Sequence, residues 1–193
     1  MKKIFLIALA FAAFSGVKAQ NEGFSVAPKI GMNVSKVSDM SFSDVKAKSL
    51  ADFNIGLTGQ YRFENSFALE TGIIYSRQGV KLKEEGEKLN IKLGYINVPV
   101  LAKYYIVKGL NVFAGPELGF CVSKKSNFDE IEEDLKDAIK GFSLAASVGA
   151  GYEFDCGLLL QMNYNIGLTK INKGGDEKNR NNVFQVSAGW RFL

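Results

Sequence analysis

Hydrophobic and polar residues alternate with a period of two along eight stretches of this chain, roughly 23–34, 51–63, 66–78, 91–106, 111–122, 142–154, 157–168 and 182–192. That period marks a β-strand whose two faces meet different surroundings. In the last stretch Phe184, Val186, Ala188, Trp190 and Phe192 share one face, against Gln185, Ser187, Gly189 and Arg191. The stretch before it sets Leu158, Leu160, Met162, Tyr164, Ile166 and Leu168 against Leu159, Gln161, Asn163, Asn165 and Gly167. Stretches 51–63 and 142–154 divide the same way, so one face is hydrocarbon-like and the other small or polar. Most stretches run to roughly 10–13 residues, the length a tilted strand needs to cross hydrocarbon and about twice that of a strand in a soluble protein.

The connections alternate too. Links at about 35–50, 81–90, 123–141 and 170–181 are long and polar, whereas Glu64-Asn65, Val107–Leu110 and Asp155-Cys156 are short. Short turns at one end, long loops at the other and an even strand count are the plan of an outer-membrane barrel, with both chain termini on the periplasmic side. In a soluble barrel the apolar face would fill the interior and the glycine-bearing face would meet water, where glycine costs backbone entropy and packs nothing. A narrow lumen lined by small and polar groups, with lipid outside, accounts for both faces. Backbone physics agrees, because only a closed barrel pairs every strand N–H and C=O in hydrocarbon. The predicted fold is therefore all-β: an eight-stranded antiparallel up-and-down transmembrane β-barrel with short periplasmic turns and long extracellular loops.

Aromatic residues on the apolar face gather at the strand ends. Phe24, Tyr61, Phe63, Phe67, Tyr104, Tyr152, Phe154, Trp190 and Phe192 fall at the short-turn end, and Phe53, Tyr75, Phe120, Phe142 and Phe184 at the other. Aliphatic residues such as Ile55, Leu69, Ile73, Val148 and Leu160 lie between. Two aromatic girdles around an aliphatic band match the two headgroup levels of a bilayer.

The first residues carry an address. Lys2 and Lys3 precede an apolar run, Ile4 to Phe14, and Val17-Lys18-Ala19 offers a small-residue cleavage pattern. Residues 1–19 read as a secretory signal peptide and 20–193 as one barrel domain. Losing Lys2, Lys3 and Lys18 turns 24 basic residues into 21 against 20 acidic ones, so the exported chain is nearly neutral. Nothing in that balance calls for a nucleic-acid partner. The partners expected are outer-membrane lipid and lipopolysaccharide, with a periplasmic or surface protein as a further one, around a monomeric barrel.

The stretch Tyr95-Ile96-Asn97-Val98-Pro99-Val100-Leu101-Ala102-Lys103-Tyr104, followed by Gly115-Pro116-Glu117-Leu118-Gly119, resembles the PorT-like outer-membrane β-barrel family common in Bacteroidota. The resemblance extends over the whole mature chain. It implies an eight-stranded, porin-like outer-membrane barrel and no single activity. Pro99 and Pro116 lack ladder donors and are expected to mark bulges.

Candidate chemistry is sparse. The chain has no histidine, which excludes Ser-His-Asp catalysis and imidazole metal sites. No catalytic residues, metal or cofactor are expected, and the chain is not read as an enzyme. Alternation places Lys29, Arg62, Glu70, Lys103, Glu117, Glu153 and Arg191 in the lumen. An eight-stranded barrel is only wide enough for side chains to fill, so these charges read as a paired internal network or, alternatively, as a narrow path for ions or small solutes. Glu70 and Lys103 should be neighbours. Cys121 and Cys156 fall near opposite ends of the barrel, too far apart for a disulfide. One helical periodicity exists: Phe128, Ile131, Leu135 and Ile139 share a face within 127–141, opposite six acids. It reads as a rim helix, or as a lid or partner-binding element. The role this sequence supports is structural or interactive (loop presentation, envelope maintenance or partner docking), with a narrow porin-like channel as the alternative.

Overall fold

The computed structural model describes residues 23–38, 41–42, 45–63, 66–84, 87–126, 140–169 and 180–192. Its strands are β1 (Gly23–Ser38), β2 (Ser41–Phe42), β3 (Val45–Arg62), β4 (Phe67–Glu84), β5 (Glu87–Tyr105), β6 (Leu110–Ser126), β7 (Phe142–Glu153), β8 (Leu158–Gly167) and β9 (Arg180–Trp190). The sheet order is β1-β9-β8-β7-β6-β5-β4-β3, and β1 pairs with β3 to close the ring. Every pairing is antiparallel. The two-residue β2 only extends the edge of β3, so the barrel has eight staves.

Alternation set the faces as the sequence implied. Trp190, Phe184 and Val186 on β9 are exposed on the outside, while Gln185 and Ser187 are buried within. Phe24, Ile55, Tyr61, Phe67, Ile73, Tyr104, Val148 and Leu160 are likewise exposed. Aromatic pairs stud the short-turn end: Tyr61–Phe63 at 5.0 Å, Phe67–Tyr104 at 5.0 Å and Tyr152–Phe154 at 4.7 Å between ring centroids. Phe53–Tyr75 and Phe120–Phe142 mark the opposite level. Rings packed this way gain contact energy while bordering the aliphatic band.

At the short-turn end, the chain reverses between β5 and β6 and between β7 and β8 on glycines with positive φ, Gly109 (83°) and Gly157 (96°), which a side chain would strain. The barrel seam there is fastened by Phe192, whose N–H donates to Val26 O and whose O accepts from Val26 N–H, both at 2.7 Å.

Three expectations need correcting. First, the polar segments read as links at 35–50, 81–90, 123–141 and 170–181 are partly strand. Pairing of β4 with β5 continues to Glu84↔Glu87, β3 begins at Val45, β6 runs to Ser126 and β9 starts at Arg180. The backbone ladder needs no alternation of apolar side chains to persist. Second, neither proline makes a bulge. Pro99↔Glu117 and Pro116↔Ala146 keep the register of their neighbours. Ladder pairs are instead missing in register, between Pro99↔Glu117 and Ala102↔Ala114 and between Thr71↔Val100 and Ile74↔Asn97. Losing one donor weakens a ladder locally, but strands fixed on both sides cannot slip. The register shifts lie elsewhere, between Gly94 and Tyr95 and between Ser49 and Asn54. Third, the stretch 111–122 places Cys121 next to its end, but β6 continues five residues beyond Cys121, to Ser126. Both cysteines are free thiols. The signal segment 1–19 and the helical periodicity of 127–141 lie outside the described residues, Lys140 and Gly141 excepted.

Candidate functional site: the charged lumen

A barrel of eight strands brings inward side chains from opposite walls within reach of each other. Here most of the contacts join strands that are not neighbours in the sheet. Lys29 Nζ on β1 donates to Glu70 Oε1 on β4 at 2.6 Å and to Gln161 Oε1 on β8 at 2.5 Å. Lys103 Nζ on β5 donates to Glu70 Oε2 at 2.9 Å, to Glu153 Oε1 on β7 at 3.2 Å and to Gln60 Oε1 on β3 at 3.1 Å. Arg191, just past β9, donates to Glu153 Oε1 at 2.8 Å and lies 3.5 Å from Glu70 Oε2. Arg62 reaches Glu153 Oε2 at 3.4 Å and lays its guanidinium over the Tyr105 ring at 3.8 Å. From β6, Phe113 lies 5.8 Å from the Lys103 ammonium. All eight staves thus feed one cross-lumen cluster.

The cluster is dry. Glu70 and Lys103 are each 1% exposed, and Leu159, Gln60 and Asn111 are as deeply buried. Charges so buried are tolerable only when paired and hydrogen-bonded, and each here holds two or more partners. With four cations against two carboxylates, the cluster carries an excess of positive charge.

Six of the seven lumen charges expected from the sequence, Lys29, Arg62, Glu70, Lys103, Glu153 and Arg191, therefore join one network, and Glu70 and Lys103 are in contact. The seventh, Glu117, stands apart. Its Oε1 accepts from Asn97 Nδ2 at 2.7 Å and from Asn165 Nδ2 at 2.9 Å, and among the described residues it has no ion pair. Two water-sized cavities flank it, about 30 Å³ and about 20 Å³ in volume. The uncharged plug around these charges carries a sequence signal too. Leu101 and Tyr105 share the parity of Lys103, and Phe113 that of Glu117, so the same rule would have found them.

Of the nine aromatic positions assigned to the short-turn girdle, eight are exposed, and Phe192 is only half-exposed where it fastens the seam. No group of His, Cys, Asp and Glu side chains among the described residues is arranged to hold a metal ion.

With this geometry in place, comparison with known proteins is informative. The family model described as "Outer membrane protein beta-barrel domain" matches residues 18–173. Among solved structures, the chain is similar to Ail, the attachment invasion locus protein of Yersinia pestis, with a TM-score of 0.53 and 18% identity over 89% of this chain and 99% of that one. It is also similar to Neisserial surface protein A (TM-score 0.52, 16% identity, 88% and 96% of the two chains). The outer membrane protein OprG from Pseudomonas aeruginosa gives a TM-score of 0.51 at 15% identity over 89% and 96%. At such identities the likeness is one of fold. No curated protein matches the chain.

Proposed function

This chain belongs to the outer membrane protein β-barrel domain family, and from that premise we propose that it is a closed, monomeric barrel whose lumen is a strut rather than a pore. The observation that carries the reading is the cross-lumen cluster: Lys29, Glu70 and Lys103, buried and mutually paired, link β1, β4 and β5 through the barrel centre. A hydrated ion would have to break these contacts to pass. The work of such a barrel falls to its outer parts. Among the described residues, strands β3 to β6 reach 17–19 residues, against 10–12 for β7 to β9, so one side of the described wall stands taller than the other. That raised wall supports a role in loop presentation, envelope maintenance or docking of a surface or periplasmic protein, in contact with lipid and lipopolysaccharide.

The short-turn end, with Gly23 and Phe192, is assigned to the periplasmic side, and 1–19 to an export signal. The resemblance of the stretches Tyr95–Tyr104 and Gly115–Gly119 supports a PorT-like branch of the family as the reading. No catalytic role is proposed.

Purified protein in a planar bilayer tests the closed lumen. The expected result is no steady conductance. Stable, stepwise conductance that changes when Lys103 or Glu117 is neutralised would establish the narrow porin-like channel instead.

A further inference from the structure

Glu117 is the lumen charge that the network leaves without a counter-charge. On one side it borders the cavity of about 30 Å³ that Gln78, Tyr95, Asn97, Asn165 and Asn181 also line. Its Oε1 receives both amide hydrogen bonds, and among the described residues none reaches Oε2. In the same cavity wall Asn181 Oδ1 is buried and accepts no hydrogen bond, while its Nδ2 is committed to Gln78 Oε1 at 2.5 Å. A buried carboxylate without a cation and a buried acceptor without a donor are both costly. The wall of one cavity therefore holds a carboxylate without a cation and an amide oxygen without a donor.

We propose that this cavity binds a small monovalent cation of the sodium or potassium class, with Glu117 as the charged ligand and Asn181 Oδ1 as a neutral one. The donor set suits a hard cation, since carboxylate and amide carbonyl oxygens are its usual ligands. The charge selects the valence. One carboxylate balances one unit of charge, and a divalent ion would be left with a positive charge buried and unmatched. Water alone would satisfy Asn181 but not the carboxylate. The volume admits an ion with at most a water beside it. The site is also terminal. Beyond Glu117 the second cavity is bordered by Lys29, and the positive excess of the network repels a cation moving that way. Lys140 borders the first cavity and makes no ion pair with Glu117.

Thermal unfolding of the full barrel in zwitterionic detergent tests this, with sodium chloride compared against choline chloride at equal concentration and neutral pH. Sodium should raise the midpoint, by about 3–6 °C at ten times its dissociation constant, whereas choline is too large for the cavity. Glu117→Gln should erase the difference, Asn181→Ala should reduce it, and Lys108→Ala, on an exposed short turn that does not line the cavity, should leave it intact. Equal wild-type midpoints in the two salts would overturn the proposal, as would a sodium effect that survives Glu117→Gln. So would a midpoint that rises on acidification in choline and gains nothing further from sodium, because the site would then hold a proton.

Discussion

Glu70→Gln is the sharpest test of the lumen cluster. Glu70 holds Lys29 at 2.6 Å and Lys103 at 2.9 Å, with Arg191 at 3.5 Å. At an effective dielectric of about 20, each of the two shorter contacts carries roughly 6 kcal/mol of gross attraction, most of it offset by desolvation of the ions. The glutamine keeps the shape and removes the charge. Lys103 retains Glu153 at 3.2 Å, but Lys29 loses its one carboxylate and is left with Gln161. The loss is therefore dominated by a single stranded buried ammonium, which costs roughly 3–5 kcal/mol. Urea unfolding in lipid vesicles, followed by gel mobility of unheated samples, measures it. Adding Lys29→Met to the Glu70→Gln chain removes the stranded charge and should recover roughly 1–3 kcal/mol, a coupling that independent sites would not show. A Glu70→Gln barrel within about 0.5 kcal/mol of wild type, or a Lys29→Met change that only deepens the loss, would refute the reasoning.

Other outcomes follow from the outer wall and the turns. Leu160→Arg, in the exposed aliphatic band of β8, should destabilise the folded barrel in vesicles by roughly 2–4 kcal/mol, and a neutral result would contradict lipid contact there. Gly115→Ala would place a Cβ 2.0 Å from the Val100 carbonyl oxygen, so refolding yield should fall with a cost of roughly 1–3 kcal/mol, whereas wild-type yield would mean that β5 and β6 can part freely. The Asp155 carboxylate, 2.8 Å from Lys108, holds that ammonium above the usual lysine range. A raised lysine contributes fully at neutral pH and loses its contribution only as pH climbs through its folded-state value. The pair is fully solvent-exposed, so Lys108→Ala should leave the thermal midpoint unchanged at neutral pH, and a clear drop would show a buried role for this turn.

Side-chain parity was legible because lipid and lumen impose opposite demands on alternate residues. It placed Trp190 outside and Lys103 inside without any knowledge of neighbours. What parity leaves open is depth along the axis. Lys29 and Glu117 both point inward, yet one joins the network and the other stands beyond it, because strand tilt and stagger set the level at which each side chain enters the lumen. Contacts across the lumen, such as Lys103 with Glu153, depend on that stagger and on closure between β1 and β3, and no local pattern encodes either. Strand ends were illegible for another reason. Residues 81–84 and 87–90 pair as β4 and β5 although they carry Lys81, Lys83, Glu84, Glu87 and Lys88, since a backbone ladder by itself places no demand on alternation. Pro99 misled because a missing donor was equated with an extra residue, whereas the strand kept its register on both sides.

The account stands on apolar side chains that meet lipid, and Trp190, the single tryptophan of the chain, reports on that directly. The barrel should be folded into vesicles whose lipids carry bromine either near the headgroup or near the bilayer centre. Fluorescence quenched strongly by the shallow bromines and weakly by the deep ones is the expected result. Emission that neither bromolipid quenches would put Trp190 away from the bilayer and contradict the account.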